Sequence, residues 1–167
     1  STVSRFCSSG LNAVAVAADL VEAEGADAVI AGGLESITMM QNDFNKVNLF
    51  NPWLMEHYKQ IYMPMGLTAE IVADRYKVSR AKQDELALAS QQRTAAFQQS
   101  GKDQDEISPM TVTMELTDKA TGEKSQKQVT VAHDECNRPS TTMENLTKLP
   151  GAFKEGGSVT AGNSSQV

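Results

Sequence analysis

Residues 1–33 read STVSRFCSSGLNAVAVAADLVEAEGADAVIAGG, and this stretch decides the fold. Its middle, residues 11–24, is rich in Ala and Val, carries apolar side chains on nearly every face, and stops at Gly25. That pattern predicts a buried helix ended by a glycine. Residues 26–31 (Ala-Asp-Ala-Val-Ile-Ala) form a short apolar run between Gly25 and Gly32-Gly33. Such a run fits a central strand of a parallel sheet. Residues 1–5 read as the end of an earlier strand. Strand, helix and strand in this order make a βαβ unit, so the fold class is α/β. In such sheets ligands sit beyond the carboxyl ends of the strands, which is where Cys7 and Gly32-Gly33 fall.

Cys7 stands in Arg5-Phe6-Cys7-Ser8-Ser9-Gly10, at the turn into the helix. Unpaired backbone N–H groups and the positive end of the helix dipole favour negative charge there. The small residues Ser8, Ser9 and Gly10 leave room for a substrate to approach the sulfur. Two readings follow from the residues alone. One is a nucleophile on a strand-to-helix turn. The other is a small buried hydrophobe, the commoner fate of a free cysteine.

Composition narrows the classes. Of 167 residues 40% are hydrophobic but only 5% aromatic, so the core must be built from aliphatic side chains and Met. A net charge of -6 argues against a nucleic-acid or anionic-membrane surface as the main partner. The longest apolar run, residues 11–23, is broken by Asp19 and Glu22 and is too short to span a bilayer. Residues 1–6 hold no apolar core of a secretory signal. Two cysteines, Cys7 and Cys136, make no disulfide framework. A reducing compartment is the simpler expectation, and the protein is expected not to be secreted. His133-Asp-Glu-Cys136 has half of a zinc-like spacing, but the only other Cys and His are Cys7 and His57. A structural zinc site needs about four ligands, so no metal is expected. The chain starts within what reads as a strand and ends in a loop, and it is expected to be part of a longer one.

Beyond residue 37 the texture changes to a polar, irregular stretch carrying Met39, Met40, Phe44, Phe50, Trp53, Met55, Tyr58, Tyr62, Met63 and Met65. These residues form either a satellite core or a flexible apolar lining for an acyl chain. Residues 66–77 predict a helix with Thr68 as its cap, and Ser79 caps a second helix over 80–99. Residues 107–116 and 126–132 alternate about a turn at 118–123, which predicts a β-hairpin. Thr141-Thr-Met-Glu144 reads as a capping box opening a helix to about 148, stopped by Pro150-Gly151. Residues 158–161 read as a short strand. The Gly162-Asn-Ser-Ser-Gln166 tip offers hydroxyls and backbone N–H groups to a ligand.

In this order the pieces resemble the thiolases, which cleave or form 3-ketoacyl-CoA by acyl transfer through cysteine. Ser4-Arg-Phe-Cys-Ser-Ser-Gly10 is similar to the family's nucleophile segment. Residues 31–38, 65–70, 79–90, 133–138 and 157–167 are similar to further family segments, so the resemblance covers the whole chain. It implies a thiolase-like fold: residues 1–36 as part of the N-terminal α/β domain, 37–156 as an inserted α+β loop domain covering CoA, and 157–167 as the return strand. It implies that Cys7 is the acyl-accepting nucleophile, its N–H part of an oxyanion hole. Met65 would lie along the acyl or pantetheine channel and Arg138 at the nucleotide end of CoA, with Ala161 and Ser165 on the pantetheine. CoA would be a substrate, with no permanently bound cofactor. The assembly would be a homodimer or homotetramer, cytoplasmic in a bacterium and peroxisomal or mitochondrial in a eukaryote.

Pro64 and the closing segment resemble the degradative 3-ketoacyl-CoA enzymes. The acetoacetyl-CoA-forming biosynthetic enzymes usually carry histidine at that place. They remain an alternative, as does a non-catalytic CoA-binding relative. The family's Asn-Glu-Ala-Phe, Gly-His-Pro and Cys-x-Gly segments do not occur in this sequence, and His57 and His133 lie outside the family's motifs. The 167-residue chain alone is therefore expected not to turn over.

Overall fold

The computed structural model describes residues 1–40 and 45–165. Phe44 of the irregular stretch and the last two residues of the closing segment lie outside the described residues. The chain forms two compact units, Ser1–Leu49 and Phe50–Val167.

The first unit holds helix α1 (Ser9–Glu22) and the single turn α2 (Ile37–Met40). After α1, Gly25 adopts φ 74, which lets the Ala26 N–H reach the Leu20 carbonyl at 3.1 Å. This is a glycine-dependent helix stop. The strands expected at residues 1–5 and 26–31 are not formed. Among the described residues of this unit the one bridge is Arg5 with Cys7. A strand exists by pairing, and beyond that single bridge no described residue pairs with either segment. For the same reason α1, expected to be buried, buries none of its residues, and Leu11, Val14 and Val21 are exposed. Burial needs a second layer, which this unit does not supply among its described residues.

The second unit opens with α3 (Pro52–His57), capped by Asn51, whose Oδ1 accepts the Leu54 N–H at 3.1 Å. The described aromatic residues of this region make pairwise ring contacts while Phe50, Trp53 and Tyr58 stay exposed, so they form no buried satellite core. Trp53 stacks on His57 with centroids 4.2 Å apart, and Phe50 meets Tyr62 at 4.7 Å. Helix α4 runs Met65–Tyr76. Its cap is Pro64 and not Thr68: proline's fixed φ suits a helix start, and the Thr68 hydroxyl bonds back to the Pro64 carbonyl at 3.4 Å. Lys77 ends α4 in the left-handed region, at φ 56. Helix α5 (Arg80–Gln99) is capped as expected, the Ser79 hydroxyl accepting the Lys82 N–H at 3.3 Å.

Strands β1 (Met110–Thr117) and β2 (Lys124–Val131) pair antiparallel, with Met110 opposite Val131 and Thr117 opposite Lys124. Both are largely exposed, which matches their polar content. Helix α6 spans Met143–Thr147. Its cap is Thr142, one residue later than the expected capping box, and Glu144 pairs with Lys148 rather than reaching back. The expected strand at 158–161 is reduced to one bridge between Gly151 and Thr160. Among the described residues, the buried side chains gather here and on α5: Leu146, Val159, Thr160 and Asp84, with Asp103 after α5.

Candidate functional site

The turn before α1 is built from its own backbone. The Ser8 N–H donates to the Arg5 carbonyl at 3.1 Å and the Ser9 N–H to the Phe6 carbonyl at 3.0 Å. The Ser9 hydroxyl accepts the Arg5 N–H at 2.8 Å and donates to the Phe6 carbonyl at 2.7 Å. This tightness forces Phe6 to φ 49, a left-handed conformation that a bulky residue rarely adopts. Such a conformation costs about 1–3 kcal/mol. Cys7 follows at once and is exposed. The result is a strained, open turn presenting a thiol at the start of a helix of 14 residues.

The second unit holds a cavity of about 300 Å³, lined among others by Arg138, Thr141, Asn145, Leu146, Ala161 and Gly162. One wall is α6 with the residues just before it; the other is the 161–164 loop. Arg138 is placed by α5: Gln91 Oε1 accepts the Arg138 N–H at 2.8 Å and the neighbouring Asn137 amide at 2.9 Å. The Arg138 carbonyl accepts the Thr141 N–H and hydroxyl at 3.0 and 2.8 Å. The backbone there is fixed, and Arg138 is exposed. Gly162 has no room for a side chain. A Cβ there would stand 2.5 Å from Leu149 Cδ1 and 2.6 Å from Leu146 Cδ2.

Of the five residues singled out from the sequence, Arg138 and Ala161 line one cavity. Ser165 is exposed and its neighbour Ser164 is the lining residue. Met65 is the first residue of α4 and is exposed, and Phe153 packs its ring against the adjacent Gly66. Cys7 belongs to the first unit. Among the described residues no group of His, Cys, Asp and Glu is arranged to hold a metal, and no helix is long and apolar enough to cross a membrane.

A family model for the thiolase N-terminal domain matches residues 1–167. The chain belongs to the thiolase family. The peroxisomal 3-ketoacyl-CoA thiolase B of Mus musculus is 51% identical over 168 residues, covering 100% of this chain and 38% of that protein. The crystal structure of the dimeric peroxisomal thiolase of Saccharomyces cerevisiae superposes with a TM-score of 0.76 at 34% identity, covering 96% of this chain and 38% of that one. Human mitochondrial 3-ketoacyl-CoA thiolase in complex with CoA superposes with a TM-score of 0.68 at 30% identity, covering 95% and 40%. This thiolase chain therefore has a partial thiolase fold and spans about two fifths of the length of these relatives.

Arg80, Asp84 and Glu70, which support the thiolase cavity, were not singled out in the sequence, and Asn163 was read only as part of the 162–166 tip. On α5, Arg80 Nε donates to Asp84 Oδ2 at 2.7 Å, and Asp84 is fully buried. The other carboxylate oxygen of Asp84 accepts the Asn163 amide at 2.9 Å. On α4, Glu70 accepts the Ser158 N–H and hydroxyl, each at 3.1 Å, and the Val159 N–H at 2.8 Å. Desolvation by burial raises the pKa of Glu70. The N–H groups of Val159 and Ser158, the Ser158 hydroxyl and the charge of Lys154 outweigh it and hold the carboxyl below its usual 4.5. The i,i+4 spacing of Arg80 and Asp84 was a readable signal of pairing. Nothing in the sequence marked their partners 66–79 residues away.

Proposed function

We propose that this chain supplies the nucleophile and part of the CoA-binding surface of a 3-ketoacyl-CoA thiolase working in fatty-acid β-oxidation. The observation that carries the reading is 51% identity, over the whole chain, to a protein named for that activity. The exposed Cys7 on its strained turn supports it.

In this reaction the Cys7 thiolate attacks the 3-keto carbon of the substrate. The bond between C2 and C3 breaks, and the electron pair stays on C2 of the departing acetyl-CoA, which takes up a proton. The acyl group remains on sulfur as a thioester. The thiol of a second CoA, losing its proton, attacks that thioester, and the shortened acyl-CoA leaves with Cys7 regenerated. Both proton transfers need an acid and base. The family's Gly-His-Pro and Cys-x-Gly segments are absent from this sequence, so the 167-residue chain does not turn over by itself in this account.

The cavity supports a CoA role for the second unit. The Arg138 guanidinium suits the nucleotide phosphates because its planar fork is always charged. Ala161 is a small wall residue that lets a pantetheine chain pass, and the exposed hydroxyl of Ser165 lies four residues on. Met65, with Phe153 beside Gly66, forms an apolar border for the acyl side. The proposed division is 1–36, 37–156 and 157–167, with residues 37–156 as the cover over CoA. A dimer is the proposed assembly, as for the yeast relative. The proposed compartment is the peroxisome or mitochondrion in a eukaryote and the cytoplasm in a bacterium.

The test is covalent. The natural protein, given a 3-ketoacyl-CoA and quenched before CoA is added, is expected to carry the acyl group on Cys7.

A further inference from the structure

The 158–164 segment is held from below by two carboxylates on successive helices. Glu70 of α4 takes the N–H groups of Ser158 and Val159. Asp84 of α5 takes the Asn163 amide. Asn163 then organises the loop from inside: its amide also donates to the Ser158 carbonyl at 3.0 Å, and its Oδ1 accepts the Thr160 N–H at 2.7 Å. Thr160, fully buried, closes the turn by accepting the Gly162 and Asn163 N–H groups on its hydroxyl. Between these anchors Ala161 and Gly162 face the cavity.

The same carboxylate also governs the opposite wall. Asp84 holds Arg80, and the Arg80 Nη2 donates to the Leu146 and Leu149 carbonyls at 2.6 and 3.1 Å. These carbonyls lie at and just beyond the end of α6, whose Asn145 and Leu146 line the cavity. One buried aspartate is thus bonded to both walls, directly to Asn163 of the loop and through Arg80 to the end of α6. Neither Arg80 nor Asp84 lines the cavity. The walls also touch where Gly162 meets Leu146 and Leu149, so a shift of either wall moves the other. A buried ion pair adds little net stability compared with apolar packing, but it does fix geometry when all its members are satisfied.

We propose that Asp84, with Arg80 and Asn163, is the positioning centre that sets the spacing of the two cavity walls and thereby the affinity for CoA. This rests on the reading of that cavity as a CoA site. None of the three is a catalytic residue.

The experiment titrates CoA into the natural protein and three variants, well below their melting temperatures, alongside thermal unfolding. Asp84→Asn is isosteric but neutral. Asn163→Ala leaves the Arg80–Asp84 pair in place and cuts only the loop wall. Glu115→Ala removes one partner of the exposed Lys124–Glu115 pair in the hairpin and serves as the control. Misplaced supporting groups weaken binding by about ten- to a hundredfold. That weakening is expected for Asp84→Asn and Asn163→Ala, with Glu115→Ala unchanged. A purely structural role would lower the melting temperature and leave CoA affinity of the folded molecules within about twofold of the natural protein, and that result overturns the inference. If Asp84→Asn does not fold, Asn163→Ala decides, because it keeps the buried charge pair. Failure of the natural protein itself to bind CoA would remove the cavity reading and this inference together. Binding by the natural protein with unchanged variants removes the inference alone.

Discussion

The nucleophile turn and the cavity are held in opposite ways. Every bond that shapes the turn joins residues no more than four apart, within Arg5–Ser9 and the start of α1. The cavity is held together by long-range bonds between residues 46 to 89 apart, from α4 and α5 to the 137–149 stretch and the 158–164 segment. The turn stores its geometry locally and at a cost, with Phe6 forced to a left-handed φ. The cavity stores its geometry in tertiary contacts around a fully buried Asp84 and Thr160. A local device survives loosening of its surroundings. A tertiary one is lost when its hub is lost. The burial pattern agrees: α1 buries nothing, whereas Leu146, Val159, Thr160 and Asp84 form a common core.

The comparison breaks most sharply at Asp84. Asp84→Ala leaves the Arg80 guanidinium and the Asn163 amide without their shared carboxylate. Breaking a buried pair from one side costs about 3–5 kcal/mol, a large part of the roughly 5–15 kcal/mol that stabilises a domain. Urea unfolding followed by circular dichroism is expected to show that loss. A change below about 1 kcal/mol, the worth of a surface pair, would mean the hub is not tertiary support.

A smaller effect is expected at Glu70, and it depends on pH. Its folded pKa lies below the usual 4.5, so its contribution is full above 4.5 and is lost as pH falls through the folded value. Glu70→Gln should therefore be less stable than the natural protein at neutral pH. The gap should begin to narrow below pH 4.5 and close once pH has fallen through the lower folded value, where Glu70 is protonated in both states. Parallel curves from neutral to acid pH would contradict the assignment of the 158–159 N–H groups to this carboxylate.

The smallest effect is at the turn itself. Ser9→Ala removes two hydrogen bonds, each worth about 0.5–1.5 kcal/mol at most in so exposed a place. The overall unfolding midpoint should not move, while amide exchange at residues 5–9 should accelerate. Faster global unfolding or a lowered midpoint would show that the turn is coupled to the rest of the fold.

This contrast explains what was legible in the sequence. Short-range features were readable: Ser79 as a cap, the glycine stop at Gly25, α5 at its full length, the hairpin, and Cys7 on a turn into a helix. Where two local signals competed, the position slipped. Thr68 lost to Pro64, which was already preorganised for the helix start, and the α6 cap moved from Thr141 to Thr142. The strands at 1–5 and 26–31 carry the right pattern, but a parallel strand is completed only by neighbours, and beyond the Arg5–Cys7 bridge no described residue pairs with them. Arg138 and Ala161, picked out from the family resemblance, line one cavity. Their supporting shell did not show, because Asp84 finds Asn163 only after 79 residues of intervening chain have folded.

The most direct test of the account is the identity of the acylated residue. The natural protein is mixed with a 3-ketoacyl-CoA, quenched in acid, digested, and its peptides are sequenced by mass spectrometry. The account predicts one acyl group per chain on the peptide containing Cys7. An acyl group on Cys136 with Cys7 unmodified would contradict it.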